Sequence, residues 1–337
     1  MGTAQGFEER CHEILERKGG RIADKARSVL QEDPPLGLED PSQYVSRYWR
    51  DPLTPALLVL SSEAIEGRRL NYDVVDQAAL GMTVLSLGLN LWDDIVDTTM
   101  QRGLVPTVLG KYGQGITLIL GGLATAKAFS ILNRMKVSQI DEKRIDANIW
   151  NYCKRLAEAE TLNLSLRNQS DLLPDAKLRV IEMQSINLET TSKIGALIGN
   201  GSEEEIECLG KYGQDLSIIL ELMKDVEVTL NFTLDLVHKV RSRAMTYTLS
   251  YAKSCSERVR KSLVALKDVD DAQAIRELVT DILETGAVEH TYSIIVEKTK
   301  KAKENVMKLP ENESIRSLAF LADAQPNILS KRIGLAC

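Results

Sequence analysis

Read for hydrophobic spacing, the chain is a succession of helices joined by short polar turns. Apolar residues recur at helical spacing over residues 7 to 31, with Gly19-Gly20 expected to interrupt the run and Pro34-Pro35-Leu36-Gly37 to close it. The same reading predicts helices over about 53 to 66, ending near Gly67, and over 72 to 98. A loop from Gly103 to Gly115 leads into a Gly- and Ala-rich helix near 115 to 134, whose small residues let two backbones approach closely. Ser138 with Asp141 and Ser202 with Glu205 have capping-box spacing and mark two later helix starts. Further helices are predicted near 139 to 167, 174 to 199, 203 to 239, 242 to 265, 271 to 286, 288 to 307 and 311 to 323. Nothing reads as a strand. The pattern predicts an all-α fold, a bundle of ten or more antiparallel helices forming one domain over 1–337, with residues 1–40 a peripheral helical segment.

One stretch breaks the plain pattern. Asn90-Leu91-Trp92-Asp93-Asp94-Ile95-Val96-Asp97 packs three carboxylates into five residues after a long run of Leu, Val, Gly and Ala. On a helix from Tyr72 to Asp97, Asp93 and Asp97 sit one turn apart on one face, with Asp94 beside them. Hard oxygens so arranged suit Mg2+, which shares its remaining positions with water and substrate phosphates. A solvated helix end would carry the same residues without a ligand. The apolar run before the carboxylates, with Arg102 and Pro106-Thr107 soon after, favours a greasy, anionic ligand.

Composition narrows the class. No linker or low-complexity run divides the 337 residues, and with 44% hydrophobic and 5% aromatic residues the core must be mainly aliphatic. A net charge of −6 and the lack of a basic stripe argue against nucleic acid as a partner. The apolar stretches carry polar interruptions and are expected to fall short of a membrane span, so no integral membrane segment is expected and a cytoplasmic protein is. Cys11, Cys153, Cys208, Cys255 and Cys337 lie too far apart for a zinc or disulfide framework, and Cys337 is not four from the end as prenyl lipidation requires. His12, His238 and His290 offer no nucleophilic triad.

The residues resemble a known family. Asp93-Asp94-Ile95-Val96-Asp97 with Arg102 and Pro106-Thr107 is similar to the first aspartate-rich motif and the following Arg-Arg-Gly-x-Pro-Thr loop of the trans-isoprenyl diphosphate synthases, the polyprenyl synthetase family of the isoprenoid synthase superfamily. Pro55 to Ala64 resembles that family's second helix, and Gly195 to Gly199 through Glu205 to Tyr212-Gly213 resembles the approach to its second motif. Lys224-Asp225-Val226-Glu227 onward to Tyr251-Ala252 is similar to its distal half, so the resemblance covers roughly residues 45 to 255. It implies the isoprenoid synthase type I fold with a central apolar cavity. It also implies Mg2+, three ions with substrate bound, and a homodimer formed through the helix near 115 to 134, a heterodimer with an intact synthase being the alternative.

Departures from the family pattern bear on the reaction. The family holds its acceptor, isopentenyl diphosphate, with a Gly-Lys-Arg-x-Arg-Pro segment, a His and a second Arg. Those positions fall on Arg50-Asp51-Pro52-Leu53-Thr54-Pro55, Ser86 and Gly103, unless Arg47, Arg50 or Arg68 substitutes. Each lost charge-assisted hydrogen bond is worth about 1.5–3 kcal/mol, so isopentenyl diphosphate should bind poorly. The second motif falls on Glu221 to Val228; Glu221, Asp225 and Thr229 share one face and are candidate metal ligands, while Lys224 pairs either with diphosphate or with a neighbouring carboxylate. The family's diphosphate-binding Lys-Thr falls on Met183-Gln184, with Lys193 further along. Asp93, Asp94 and Asp97 are then the expected catalytic metal ligands and Arg102 the diphosphate grip. Gly88 and Leu89 stand where bulky residues shorten the family's pocket, which favours a C15 to C20 allylic isoprenyl diphosphate. The leading expectation is a class I terpene synthase, a diphosphate lyase on a synthase framework. A prenyltransferase acting on a peptide, similar to bacterial quorum-sensing peptide prenyltransferases, is the alternative, and a regulatory subunit of an intact synthase the third.

Overall fold

The computed structural model describes residues 4–65, 70–167, 173–230, 236, 240, 245–265 and 272–334. Helices α1 (Ala4–Leu15) and α2 (Arg21–Ser28) are joined by a π-helical turn, Glu16–Gly20. There follow α3 (Glu39–Tyr48), α4 (Leu53–Glu63), α5 (Tyr72–Val96), α6 (Val108–Leu132), α7 (Gln139–Arg167), α8 (Pro174–Gln184), α9 (Ile186–Ile198) and α10 (Glu203–Leu230). The distal part adds α11 (Tyr247–Cys255), α12 (Glu257–Ala265), α13 (Ala272–Leu283), α14 (Ala287–Val306) and α15 (Glu313–Ile333). The fold is all-α, as the spacing of apolar residues predicts.

Side chains cap the helices that carry the site. Asn71 accepts from the Asp73 N–H at the start of α5, and Thr107 accepts from the Gly110 N–H at the start of α6. Ser202 and Glu205 form the expected reciprocal capping box, and the Ser138 hydroxyl accepts from the Asp141 N–H. The core is a stack in which α4, α5 and α10 pack on α9, and α14 on α10. Tyr212, Leu57, Leu60, Leu85 and Ile194 are fully buried within it. Helix α6 crosses α5 closely at Gly88 and Gly121. A Cβ on Gly88 would lie 2.5 Å from the Thr125 hydroxyl and 2.9 Å from the Gly121 carbonyl.

Several expectations need correction. Gly19-Gly20 does not interrupt the first segment, because its π turn lets α4 approach where a Cβ on Gly19 would strike the Pro52 carbonyl. Helix α3 has too short an apolar stripe to stand out in the sequence. The run 174 to 199 breaks at Ser185, and 242 to 265 breaks at Ser256, whose backbone is extended. Helix α15 runs through Pro326, which the packing of its apolar face on α1 and α14 outweighs. Strand is not wholly absent: Gln101–Arg102 (β1) pairs antiparallel with Val105–Pro106 (β2) around a turn at Gly103. Finally, α5 and α6 are long and apolar enough to cross a membrane, contrary to expectation. The apolar window of α5 is 78% buried in the protein, that of α6 only 33%.

Candidate active site

The last turn of α5 sets the first three side chains. The Asp97 N–H still bonds the Asp93 carbonyl at 2.8 Å, so the two carboxylates lie one turn apart. Thr98 then adopts the left-handed conformation (φ 52°) and ends the helix. The chain folds back as the β1–β2 hairpin, fastened by Thr107 donating to the Thr99 carbonyl at 2.6 Å. That return brings Arg102 over Asp94, whose Oδ1 accepts from Nη2 at 2.7 Å.

Helix α7 brings a fourth carboxylate that sequence reasoning did not single out. Ligand oxygens of Asp93, Asp97 and Glu160 all lie within 4.8 Å of one another. Gln184 donates to Glu160 at 2.5 Å and Asn163 at 3.4 Å, while Arg167 donates to Asp97 and, at 2.8 Å, to the Val96 carbonyl. Burial first, then the charges of Asp97 and Glu160, push the Asp93 carboxyl up to about 7. Burial raises Asp94 as well, opposed by Arg102. Oxygens on one Mg2+ lie about 3 Å apart when adjacent and about 4 Å when opposite, so this donor set closes onto an ion by small side-chain rotations. The fit is to a hard cation. One signal could have found α7: Glu160, Asn163 and Arg167 stand at i, i+3 and i+7, a polar stripe along one face.

The remaining expected residues are placed differently. Asp94 turns to Arg102 and is not in the three-carboxylate group. Asp225 accepts from the Tyr247 N–H at 2.5 Å, and the fully buried Thr229 hydroxyl bonds the Asp225 carbonyl and Thr246. Thr229 therefore offers no free oxygen. Glu221 is partly exposed and lies 3.7 Å from Lys224, whose ammonium it stabilises, and Lys224 also feels the charges of Arg102 and Asp93. Lys193 is held by Glu189 at 2.9 Å and Glu207 at 2.8 Å. Gly88 is occupied by its crossing with α6, and Leu89 packs against the main core.

The acceptor segment is likewise committed to the fold. Asp51 caps α4, accepting from the N–H groups of Leu53 and Thr54 and from the Thr54 hydroxyl at 2.6 Å. Arg50 turns towards the N-terminal helices, bonding Glu16 at 2.5 and 2.7 Å and Asp24 at 3.0 Å. Arg47 stacks over Tyr48, Ser86 is buried and Gly103 forms the hairpin turn, while Arg68 lies outside the described residues. A cavity of about 280 Å³ opens beside this segment, between α3, α5 and the hairpin, with Asp94 and Arg102 in its wall.

Comparison with known proteins decides the relationship. A model of the family described as polyprenyl synthetase matches residues 38–282. The chain belongs to that family. It is similar to the short chain isoprenyl diphosphate synthase of Methanothermobacter thermautotrophicus, 24% identical over 316 residues that cover 91% of this chain and 95% of the relative. A geranylgeranyl diphosphate synthase of Methanosarcina mazei is 23% identical over 313 residues, covering 92% and 95%. Among solved structures, the geranylgeranyl pyrophosphate synthetase of Pyrococcus horikoshii matches with a TM-score of 0.82 at 21% identity, covering 94% of this chain and 98% of that one. The polyprenyl synthase of Caulobacter crescentus, complexed with calcium and isoprenyl diphosphate, matches with a TM-score of 0.80 at 18% identity, covering 94% and 97%. The fold is the isoprenoid synthase fold. This polyprenyl synthetase works in a family that depends on Mg2+ held by acidic residues, and such a cluster stands here.

Proposed function

We propose that this polyprenyl synthetase ionises an allylic isoprenyl diphosphate with Mg2+ and does not use isopentenyl diphosphate as acceptor. The observation that carries the reading is the acceptor segment: Asp51 is a helix cap, Arg50 is locked to Glu16 and Asp24, and Arg47 lies over Tyr48, so among the described residues none of the expected cations of this segment is left for a diphosphate. Asp93, Asp97 and Glu160 would hold the metal, with Glu221 and Asp225 as the weaker second group. A Mg2+ ion held there would neutralise the departing diphosphate and so lower the barrier to ionisation. Arg102 and Lys224 add positive charge at the mouth, and Arg167 and Gln184 fix the orientation of the carboxylates.

Chains of C15 to C20 are the favoured substrates, in keeping with relatives named for geranylgeranyl and geranylfarnesyl products. Two fates are open to the ionised chain: ring closure or elimination, as in a terpene synthase, and capture by another nucleophile. A regulatory subunit would have no need of the Asp93, Asp97 and Glu160 group. The start of the stretch resembling peptide prenyltransferases, Asn231-Phe232, lies outside the described residues. A homodimer is part of the proposal, since Leu118 and Ile119 on α6 and Trp150 on α7 are all more than half exposed. Pyrophosphate release from geranyl, farnesyl and geranylgeranyl diphosphates with Mg2+ alone tests the reading; no release from any of the three would sink it.

A further inference from the structure

We infer that the cavity between α3, α5 and the hairpin is the acceptor site of this enzyme, and that it takes an uncharged aromatic nucleophile instead of a diphosphate. The inference rests on the ionisation reading above. Position is the first argument. Asp94 and Arg102 line the cavity, and Asp94 is the chain neighbour of Asp93 in the carboxylate group, so the cavity and the metal-binding face share one partition.

The chemistry of the walls is the second. Tyr44, Tyr48 and Trp49 supply aromatic surface, and Leu87 and Leu91 close the α5 side. Tyr44 and Tyr48 lie 4.5 Å apart in a tilted pair, and the Tyr44 hydroxyl donates to the Pro106 carbonyl at 2.6 Å, so the wall is tied to the hairpin. Arg102 is the one cation among the described lining residues and is engaged with Asp94. A diphosphate placed here would lose its water and meet the Asp94 carboxylate, with Arg102 already paired to that carboxylate and Arg47 and Lys111 lying over the rings of Tyr48 and Tyr44. A flat, neutral ring gains stacking on the aromatic wall, worth about 0.5–1.5 kcal/mol for each ring pair beyond area burial.

Asn90 is the third. It lines the cavity one turn before Asp94, and its side-chain amide makes no hydrogen bond to the described residues. It can accept from a ring N–H or bond a phenolic O–H. The volume, about 280 Å³, suits one or two rings. In the transfer, the allylic C–O bond breaks and diphosphate leaves with the electron pair. A ring atom of the acceptor forms the new bond to the allylic carbon, and the proton it loses passes to the departing diphosphate.

Full-length protein with Mg2+ and farnesyl or geranylgeranyl diphosphate, incubated with indole or 1-naphthol as probes, tests this by mass spectrometry alongside a pyrophosphate assay. The expected result is a prenylated probe matched by one pyrophosphate per adduct. In Tyr48→Ser and Asn90→Leu the ratio of adduct to pyrophosphate falls about tenfold, the loss of one aromatic or polar contact. Tyr48 is half exposed, so its replacement serves if Asn90→Leu fails to fold. Pyrophosphate release with only hydrocarbon or alcohol products, or adduct ratios unchanged in both variants, would overturn the acceptor site and leave the ionisation reading standing. No pyrophosphate in any mixture would defeat the ionisation reading, and the acceptor site with it.

Discussion

Glu160→Gln keeps the shape of the side chain and removes one of three carboxylates whose oxygens lie within 4.8 Å of one another. Two unit charges at that distance repel by about 3.5 kcal/mol at an effective dielectric constant of about 20. All three groups are partly exposed, so solvent screening reduces the effect to about 1 kcal/mol. At pH 8, above the raised Asp93 pKa of about 7, the metal-free variant should therefore melt about 2 °C higher than the wild type. The response to Mg2+ has the opposite sign. An ion at 100 times its Kd stabilises the folded wild type by about 2.7 kcal/mol; if the variant binds about 100-fold more weakly, the same concentration contributes about 0.4 kcal/mol. Differential scanning calorimetry with and without Mg2+ reads both effects. A variant that melts lower without metal, or keeps the whole Mg2+-induced rise, would refute the assignment of Glu160 to the metal group.

Other consequences follow from named contacts. Mg2+-induced stabilisation should grow between pH 6 and 8, because Asp93, pushed up to about 7, must lose its proton to bind; without metal the same raised pKa makes stability fall as pH rises from about 4 through 7, and a flat Mg2+ response over that range would contradict the geometry. Arg167→Ala removes a mostly buried cation bound to Asp97 and to the Val96 carbonyl and should cost about 3 kcal/mol in urea unfolding. Gly88→Leu should cost about 1–3 kcal/mol by forcing α5 and α6 apart, measured in the same way; wild-type stability with a preference shifted to a shorter allylic diphosphate substrate would restore Gly88 to the tail pocket.

The helix pattern was legible wherever one apolar stripe repeated for three turns or more, which is why α5, α7 and the start of α10 fall where spacing places them. Periodicity is blind to shorter features: a two-residue strand pair has no period, and a single Ser185 or Ser256 changes no stripe. At the site, the closeness of Asp93 and Asp97 was legible because both stand in the last turn of one helix. Glu160 was not, since it meets them only when α7 packs alongside and no local spacing records that. Shared helical face also over-assigned: Thr229 stands in register with Asp225 yet spends its hydroxyl on the Asp225 carbonyl and Thr246. Gly88 carried an equal ambiguity, as a missing side chain can make room for a ligand or for a helix, and here the helix is α6.

The central claim concerns the acceptor, and labelled isopentenyl diphosphate tests it most directly. Given together with Mg2+ and farnesyl or geranylgeranyl diphosphate, the label should stay out of the extractable product while pyrophosphate is still released. Label carried into a longer prenyl diphosphate, at a rate matching pyrophosphate release, would contradict the account and return this chain to ordinary chain elongation.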